Sequence, residues 1–441
     1  STGFASNAIG HTSSAKGDRS TAVGYGARAE EEMDLAVGHN ANASGVQSTA
    51  VGFNSKSTGF ASNAIGHSSL AEGYSSTAVG SGAHAKKAFD LAAGHNAIAS
   101  GEQSTAVGFN SKSTGFASNA IGNSSLAEGD FSTAVGSEAH AEKEFDLAAG
   151  YQANASGGQS TAVGYGSNAS GRASFAQGSS ALASGDASIS IGEYSSATGK
   201  QSISVGKDNI VSGQNSAAIG NPSNISGNNS YSLGNNNTIA TNDTFVVGSN
   251  VTKTLDNSVF LGKDAAYTAK GTSTDGIGAV TEPVTVGGKL TYGGFAGKTP
   301  VGVVSVGDVG KERRIQNVAA GLISATSTDA INGSQLYATN DKLGNVANTV
   351  VKNFGGNATL NPDGSITYTN IGNTGKDNIH DAIKAATTKV EEGAGIKVDP
   401  TKNADGSTTY TVSAKTDGTT TKIDDKGNIA AVTAPLTTNT D

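Results

Sequence analysis

Glycine stands at position 10 and at every fourteenth position through residue 262, nineteen glycines without a slip in register. The glycines close the same five-residue pattern, small–x–small–apolar–Gly, with variation along the chain. It reads SNAIG at Ser6–Gly10, STAVG at Ser20–Gly24, DLAVG at Asp34–Gly38 and SVFLG at Ser258–Gly262. A longer period lies on top of this one. The decapeptide STGFASNAIG opens the chain at Ser1 and returns unchanged at Ser57 and Ser113, four units of fourteen apart. Fixed self-similarity over this length specifies a repeat array, in which each unit buries its apolar face only against its neighbours.

Each unit holds two short runs of period-two alternation, the pattern of a strand. The first is the SxA(V/I) run. The second follows the glycine and reads small–x–small, as in Ala27-Arg28-Ala29 and Ala83-His84-Ala85. A second glycine column (Gly17, Gly45, Gly59, Gly73, Gly101, Gly115, Gly129) separates most units from the next. Glycine at both junctions predicts tight turns with φ > 0. The first proline is Pro222, so no earlier residue lacks a ladder donor. One unit is therefore one coil of a two-stranded parallel solenoid.

The alternation also assigns faces. Ser20 and Ala22 point one way and Thr21 and Val23 the other, while Ala27 and Ala29 oppose Arg28. Columns of Ala and Ser predict a thin interior with no room for Leu or Phe. The column through Arg28, Asn42, Lys56, Leu70, His84 and Ile98 varies as a solvated face does. The column through Val23, Val37, Val51, Ile65, Val79 and Val107 stays β-branched and apolar, and a stripe of that length requires a cover. Self-association along it, around an axis parallel to the solenoid, is the expectation.

Composition narrows the class. Gly 61 of 441 residues, 5% aromatic and no Trp describe an array of small side chains without a deep core. A net charge of −8 argues against a nucleic-acid partner. The absence of Cys is compatible with export. No signal peptide and no apolar run long enough for a transmembrane helix is read, and the chain reads as a fragment of something longer. A hexapeptide acyltransferase solenoid needs about 18 residues per coil. Calcium-binding GGxGxD units are absent, and Thr21, Thr49 and Thr77 recur only on alternate coils, unlike a flat threonine array. The chain is read as a non-enzyme with no cofactor and no metal. His11, His39, His67 and His95 stand two coils apart, about 10 Å, too far to share one metal with bonds near 2.1 Å, and are read as partly exposed β-surface residues.

Every fourth coil departs from its own repeat, losing the second glycine and gaining charge: AEEEMD at Ala29–Asp34, AKKAFD at Ala85–Asp90 and AEKEFD at Ala141–Asp146. One reading is a wider turn whose apolar residue folds back on the neighbouring coil. The other is a regularly spaced contact patch formed by Glu30, Glu31, Glu32 and Met33, by Lys86, Lys87 and Phe89, and by Glu142, Lys143, Glu144 and Phe145. Trimerisation would present each patch three times, with levels about 19 Å apart.

After Gly262 the rhythm breaks. EPVTVGGKLTY suggests a hairpin within an irregular insertion, and a helix follows with Leu336, Leu343 and Val350 seven apart. Either Asn340, Ala347 and Phe354 or Thr339, Val346 and Asn353 complete its heptads. NATLNPDGSITYT and TKNADGSTTYTV read as hairpins around a second helix with Ile379, Ile383, Ala386 and Val390.

The SxAxG units resemble the head of the YadA-like trimeric autotransporter adhesins. KERRIQNVAAGLISATSTDAINGSQLYA resembles their neck, and NFGG at Asn353–Gly356 their FGG stalk insertion. The resemblance implies a mainly β homotrimer with a left-handed parallel β-roll head, then a neck, a short trimeric coiled coil and small β-hairpin insertions. The division read is a head over 1–262, an insertion over 263–304 and a neck over 305–335. A coiled coil follows over 336–352, an FGG-like insertion with return helix over 353–392, and a β-rich connector over 393–441. Trimer contacts would come from Val23, Val37, Val51, Ile65, Val79 and Val107 in the head and Leu336, Leu343 and Val350 in the stalk. The resemblance further implies display outside a bacterial cell, anchored in the outer membrane through a C-terminal barrel that this fragment lacks. Host matrix, host cells or abiotic surfaces are the implied partners. The alternative is a passive spacer or self-associating biofilm element that holds another binding domain away from the cell.

Overall fold

A computed structural model describes residues 1–268, 284–286, 290–292, 295–297, 300–355 and 357–433. Two units divide the chain, Ser1–Asn317 with Ser324–Thr328, and Val318–Ile323 with Asp329–Asp441. The first is the solenoid. Its SxA(V/I) runs form short strands, Asn7–Ile9, Thr21–Val23, Leu35–Val37 and onward to Val259–Leu261. Each pairs in parallel with its equivalents fourteen residues away, so that Ala22 faces Ala8 and Ala36, and Val23 faces Ile9 and Val37. The ladder holds 20 strands, because Val304–Ser305 adds a last rung beside Val259 and Phe260. The coil continues past Gly262, with Asp264 N on Ser249 O (2.8 Å) and Tyr267 N on Lys253 O (2.8 Å), before Val304 rejoins the ladder. The small–x–small runs build a second parallel ladder, open from Ser14–Ala15 to Asn237–Ile239.

Between the ladders lies a core made almost wholly of alanine and serine. Ala22, Ala27, Ala29 and Ser20 are inaccessible, as are their equivalents on successive coils. Toward the C-terminal end the expectation of a uniformly thin interior fails. Val211, Ile225, Ile239, Val246 and Phe260 are fully buried, and the second-sheet strands there lengthen to three residues, as in Ser223–Ile225. Larger side chains occupy there the inward positions that alanine and serine fill in earlier coils.

Both glycine columns lie against the backbone of the next coil, but the positive φ belongs to the first, which corrects the expectation of positive φ at both. The first column does carry it: Gly24 has φ +134, and a Cβ there would meet Gly38 O at 2.4 Å. The second column is glycine because the next coil's backbone passes too close, a Cβ on Gly17 meeting Glu31 O at 1.8 Å. The left-handed conformation in that turn falls instead on a non-glycine residue two positions on, such as Arg19, Gln47 or Ala61 (φ 58, 63 and 52). A matching left-handed residue sits in the other turn, as at Asn40 and Asn54. Each such residue turns its N–H toward the preceding coil, as Asn40 N does to Tyr25 O (2.9 Å) and Asn54 N to His39 O (2.9 Å). The backbone strain, about 1 kcal/mol per residue, is offset by completing the ladder through the turns.

The second unit holds helix α1, Gly333–Phe354, which starts at a reciprocal cap: Asn332 Oδ1 accepts from Gln335 N, and Gln335 Oε1 accepts from Asn332 N, both at 3.2 Å. Gln335 also binds Gly321 through both its amide atoms (3.0 and 2.7 Å). None of α1's residues is buried. Antiparallel pairs follow at Thr359–Leu360 with Ile366–Thr367 and at Ile396–Lys402 with Thr408–Ala414, on either side of α2, Ile379–Ala386. Val390 lies outside α2, which stops at the extended Thr387. Val284–Val286 and Leu290–Tyr292 pair as expected for EPVTVGGKLTY, while most of 263–304 and residues 434–441 lie outside the described residues.

Candidate contact surface

Three surfaces of the roll carry the residues singled out from sequence. The first is the outer face of the first sheet. Val23, Val37, Val51, Ile65, Val79 and Val107 form one row on it, partly exposed throughout, with Ile65 and Val79 at 41% and 39%. Among the described residues nothing covers the row. The face grows more apolar toward residue 261, where Ile219, Tyr231, Leu233, Phe245 and Leu261 are all exposed. Leu336 and Leu343 of α1 are likewise exposed and Val350 half-exposed.

The second surface is the edge formed by the charged turns. Glu31, Glu32, Lys86, Lys87, Lys143 and Glu144 are exposed, and Glu30 and Glu142 half-exposed. Met33, Phe89 and Phe145 occupy the left-handed position of the turn (φ 59, 60 and 57), with exposures of 43%, 54% and 50%. The turn is not wider than the others, since Ala29–Asp34 spans the same six positions as Ala43–Ser48. Nor do the rings leave solvent. They extend a ladder that sequence reasoning missed: Phe60 stacks on Tyr74 (5.2 Å) and Tyr74 meets Phe89 edge-on (5.5 Å), while Phe116 meets Phe131 edge-on (5.3 Å) and Phe131 stacks on Phe145 (5.2 Å). Phe60 and Phe116 stand one 56-residue block apart, which was the available signal.

Sequence reasoning also missed the residue beneath each charged turn. Asp34, Asp90 and Asp146 replace the inward serine and are 1% exposed. Asp34 Oδ2 accepts from Glu31 N at 2.8 Å, and its Oδ1 accepts from Ser48 N (2.9 Å) and Ser48 Oγ (3.0 Å) on the next coil. Asp90 and Asp146 repeat this with Lys87 and Ser104, and with Lys143 and Ser160. Burial pushes the Asp34 and Asp90 carboxyls above the ordinary value, against the pull of these hydrogen bonds.

The third surface is the opposite edge. His11, Tyr25, His39, Phe53 and His67 form one continuous stack with centroids 4.9–5.2 Å apart. These rings lie in the turns, not on the β-surface expected for the histidines. On the outer face of the second sheet, His84 Nε2 meets Glu72 (2.8 Å) and His140 Nε2 meets Glu128 (3.1 Å). Among the described residues no group of three His, Cys, Asp or Glu side chains could hold a metal ion, and no helix is long and apolar enough to cross a membrane.

Two family models match the chain. The YadA head domain repeat matches eight successive segments between residues 1 and 221, and the coiled stalk of trimeric autotransporter adhesin matches residues 314–359. The chain belongs to the YadA-like trimeric autotransporter adhesins. It is 45% identical over 111 residues to the trimeric autotransporter adhesin AtaA of Acinetobacter sp. (strain Tol 5), a match covering 23% of this chain and 3% of that protein. Over 73 residues it is 55% identical to the autotransporter adhesin BtaE of Brucella suis biovar 1 (strain 1330), covering 17% and 10%. The matched regions are thus small parts of both relatives. Among solved structures, the C-terminal YadA-like domain of a Burkholderia pseudomallei protein is 38% identical, with a TM-score of 0.23 over 28% of this chain and 56% of that one. The parallel solenoid with its 14-residue coil, the helix at 333–354 and the small hairpins are the architecture that this YadA-like family membership implies.

Proposed function

We propose that the chain is a non-enzymatic adhesive segment of a bacterial surface protein, held outside the outer membrane and working as a homotrimer. Three rolls would pack around an axis parallel to the solenoid. Val23, Val37, Val51, Ile65, Val79 and Val107 would lie inside, with Leu336, Leu343 and Val350 forming the stalk seam. The apolar row carries this reading: an aliphatic stripe this long, left partly exposed beside an alanine core, calls for burial against other copies of the chain. The exposed residues of the charged turns then recur at three levels on each of three chains. Weak contacts to matrix, host cells or inert surfaces gain strength by avidity rather than by a deep pocket.

The test is attachment of the full chain to a reconstituted matrix, cultured cells and polystyrene. The variant Met33→Ala, Phe89→Ala, Phe145→Ala is measured alongside. The proposal expects binding above background to at least one surface and a loss of at least about tenfold in the variant. A passive spacer would bind none of them, and an unchanged variant would remove the charged turns as the contact.

A further inference from the structure

The three charged turns differ from the other turns at two positions that change together. From Ser6 to Ser230 the second-glycine column is interrupted only at Glu31, Lys87 and Lys143, and the inward serine column becomes aspartate only at Asp34, Asp90 and Asp146. Each loss of glycine is therefore matched by a carboxylate three residues later.

Hydrogen bonding gives the reason. In several glycine turns the glycine N–H reaches the coil above, as Gly171 N does to Ala183 O (3.2 Å) and Gly199 N to Val211 O (3.3 Å), while Gly45 N and Gly157 N reach Ser48 Oγ (3.2 Å) and Ser160 Oγ (3.1 Å) of their own turns. A Cβ in this column collides with that coil: on Gly73 it would lie 1.9 Å from Lys87 O, and on Gly45 2.2 Å from Gly59 O. A residue with a side chain has to stand off, and its N–H then needs another acceptor. The aspartate supplies one. Its Oδ2 takes the N–H of Glu31, Lys87 or Lys143 at 2.8–2.9 Å, and its Oδ1 takes the N–H and hydroxyl of Ser48, Ser104 or Ser160 on the next coil. A serine at the same place sends its hydroxyl proton to the glycine carbonyl instead, as Ser20 Oγ does to Gly17 O (2.6 Å). One carboxylate thus ties the altered turn to its own coil and to the next, directly after the left-handed residue.

We infer that Asp34, Asp90 and Asp146 are positioning residues, whose buried carboxylates hold a turn that has lost its glycine in the register of the glycine turns, so that Met33, Phe89 and Phe145 keep the outward left-handed place that Phe131 has in the Gly129 turn (φ 57, 48% exposed); the presentation half rests on reading these turns as contact patches. The carboxylates touch no ligand. They act through the backbone of the turn they hold.

The test compares two variants of the full chain. In the first, Asp34, Asp90 and Asp146 become Ser. In the second the same three changes are joined by Glu31→Gly, Lys87→Gly and Lys143→Gly, which rebuild the ordinary turn. Hydrogen–deuterium exchange is followed by mass spectrometry in peptides covering 29–34, 85–90 and 141–146. Attachment is measured to polystyrene and to a reconstituted basement-membrane matrix. In the first variant exchange in those peptides should rise at least about tenfold, the scale of a lost bond to a charged acceptor. Attachment should fall even though Met33, Phe89 and Phe145 are intact. In the second variant protection should return. Should the first variant fail to assemble, the single change Asp90→Asn keeps one acceptor oxygen and gives the same readout at Lys87. Unchanged exchange in the first variant, or exchange still raised in the second, would overturn the carboxylate's role. Raised exchange with unchanged attachment would overturn the contact-patch reading and the presentation half with it.

Discussion

Replacing Gly66 by alanine tests the physical core of the stack. Gly66 has φ +137, outside the region an L-residue accepts readily, and the added Cβ would sit 2.5 Å from Gly80 O and 2.6 Å from Gly80 C. Both atoms are backbone of the next coil, so relief requires the coils to separate. The conformation alone costs about 1–3 kcal/mol. Separation also lengthens the bond from Gly80 N to Ile65 O, now 2.8 Å, which contributes about 1 kcal/mol. The sum is about 3 kcal/mol per chain, roughly a hundredfold in the local opening equilibrium. Gly364→Ala is the control, because its φ is +82 and nothing lies within 4 Å of the new Cβ. It should cost only about 1 kcal/mol, the ordinary penalty for alanine in a left-handed turn. Hydrogen exchange measured at Asn63–Ile65 and Thr77–Val79 for the first variant, and around Asn361–Ser365 for the second, separates the two. Equal losses of protection would show that close coil approach does not fix the glycine column.

Deleting Ser57–Lys112 removes four whole coils and rejoins Lys56 to an identical segment at Ser113, so the chain should fold about 19 Å shorter. Removing one residue fewer should invert every downstream face and cause aggregation or early melting, and electron microscopy with thermal melting reads both outcomes. Val79→Asp should weaken assembly far more than Lys112→Asp on the outer face of the second sheet; equal effects on thermal stability would contradict the face assignment. Acid should act oppositely on the two units. Asp34 and Asp90 have raised values, so their contribution to stability is full below the ordinary carboxylate value and is lost as pH rises through the raised one. Asp363, Asp405 and Asp424 are held low by hydrogen bonds in their hairpin turns and Glu392 by the Val398 N–H and Lys415, so their contribution is lost as pH falls through those lowered values. Exchange protection, corrected for intrinsic rate, should therefore fail in the hairpins before the roll as pH drops below about 4; the reverse order would contradict the assignment.

The parts of the fold that depend on one residue's neighbours along the chain were legible in the sequence. Period-two alternation placed Ala22 inside and Val23 outside, and the fourteen-residue step set the pairing register. What depends on the next coil was harder to read. Gly17 and Gly24 look alike as letters, yet Gly17 answers to a carbonyl 1.8 Å away while Gly24 combines a carbonyl at 2.4 Å with a φ of +134. The aspartates at 34, 90 and 146 were absorbed into a small-residue column, where only their coincidence with the missing glycines sets them apart. The larger core side chains were visible as Val211, Ile225 and Ile239 at positions that alanine fills elsewhere. The aromatic ladder needed the turn geometry to show that residues fourteen or fifteen apart in sequence touch.

The claim on which the rest depends is that three chains share one apolar seam. Multi-angle light scattering of the full chain at micromolar concentration tests it directly. The account expects a single species near three times the 43.5 kDa chain mass, persisting on dilution, because the Val/Ile row and the exposed leucines of α1 need partners. A stable, folded species of 43.5 kDa would contradict it.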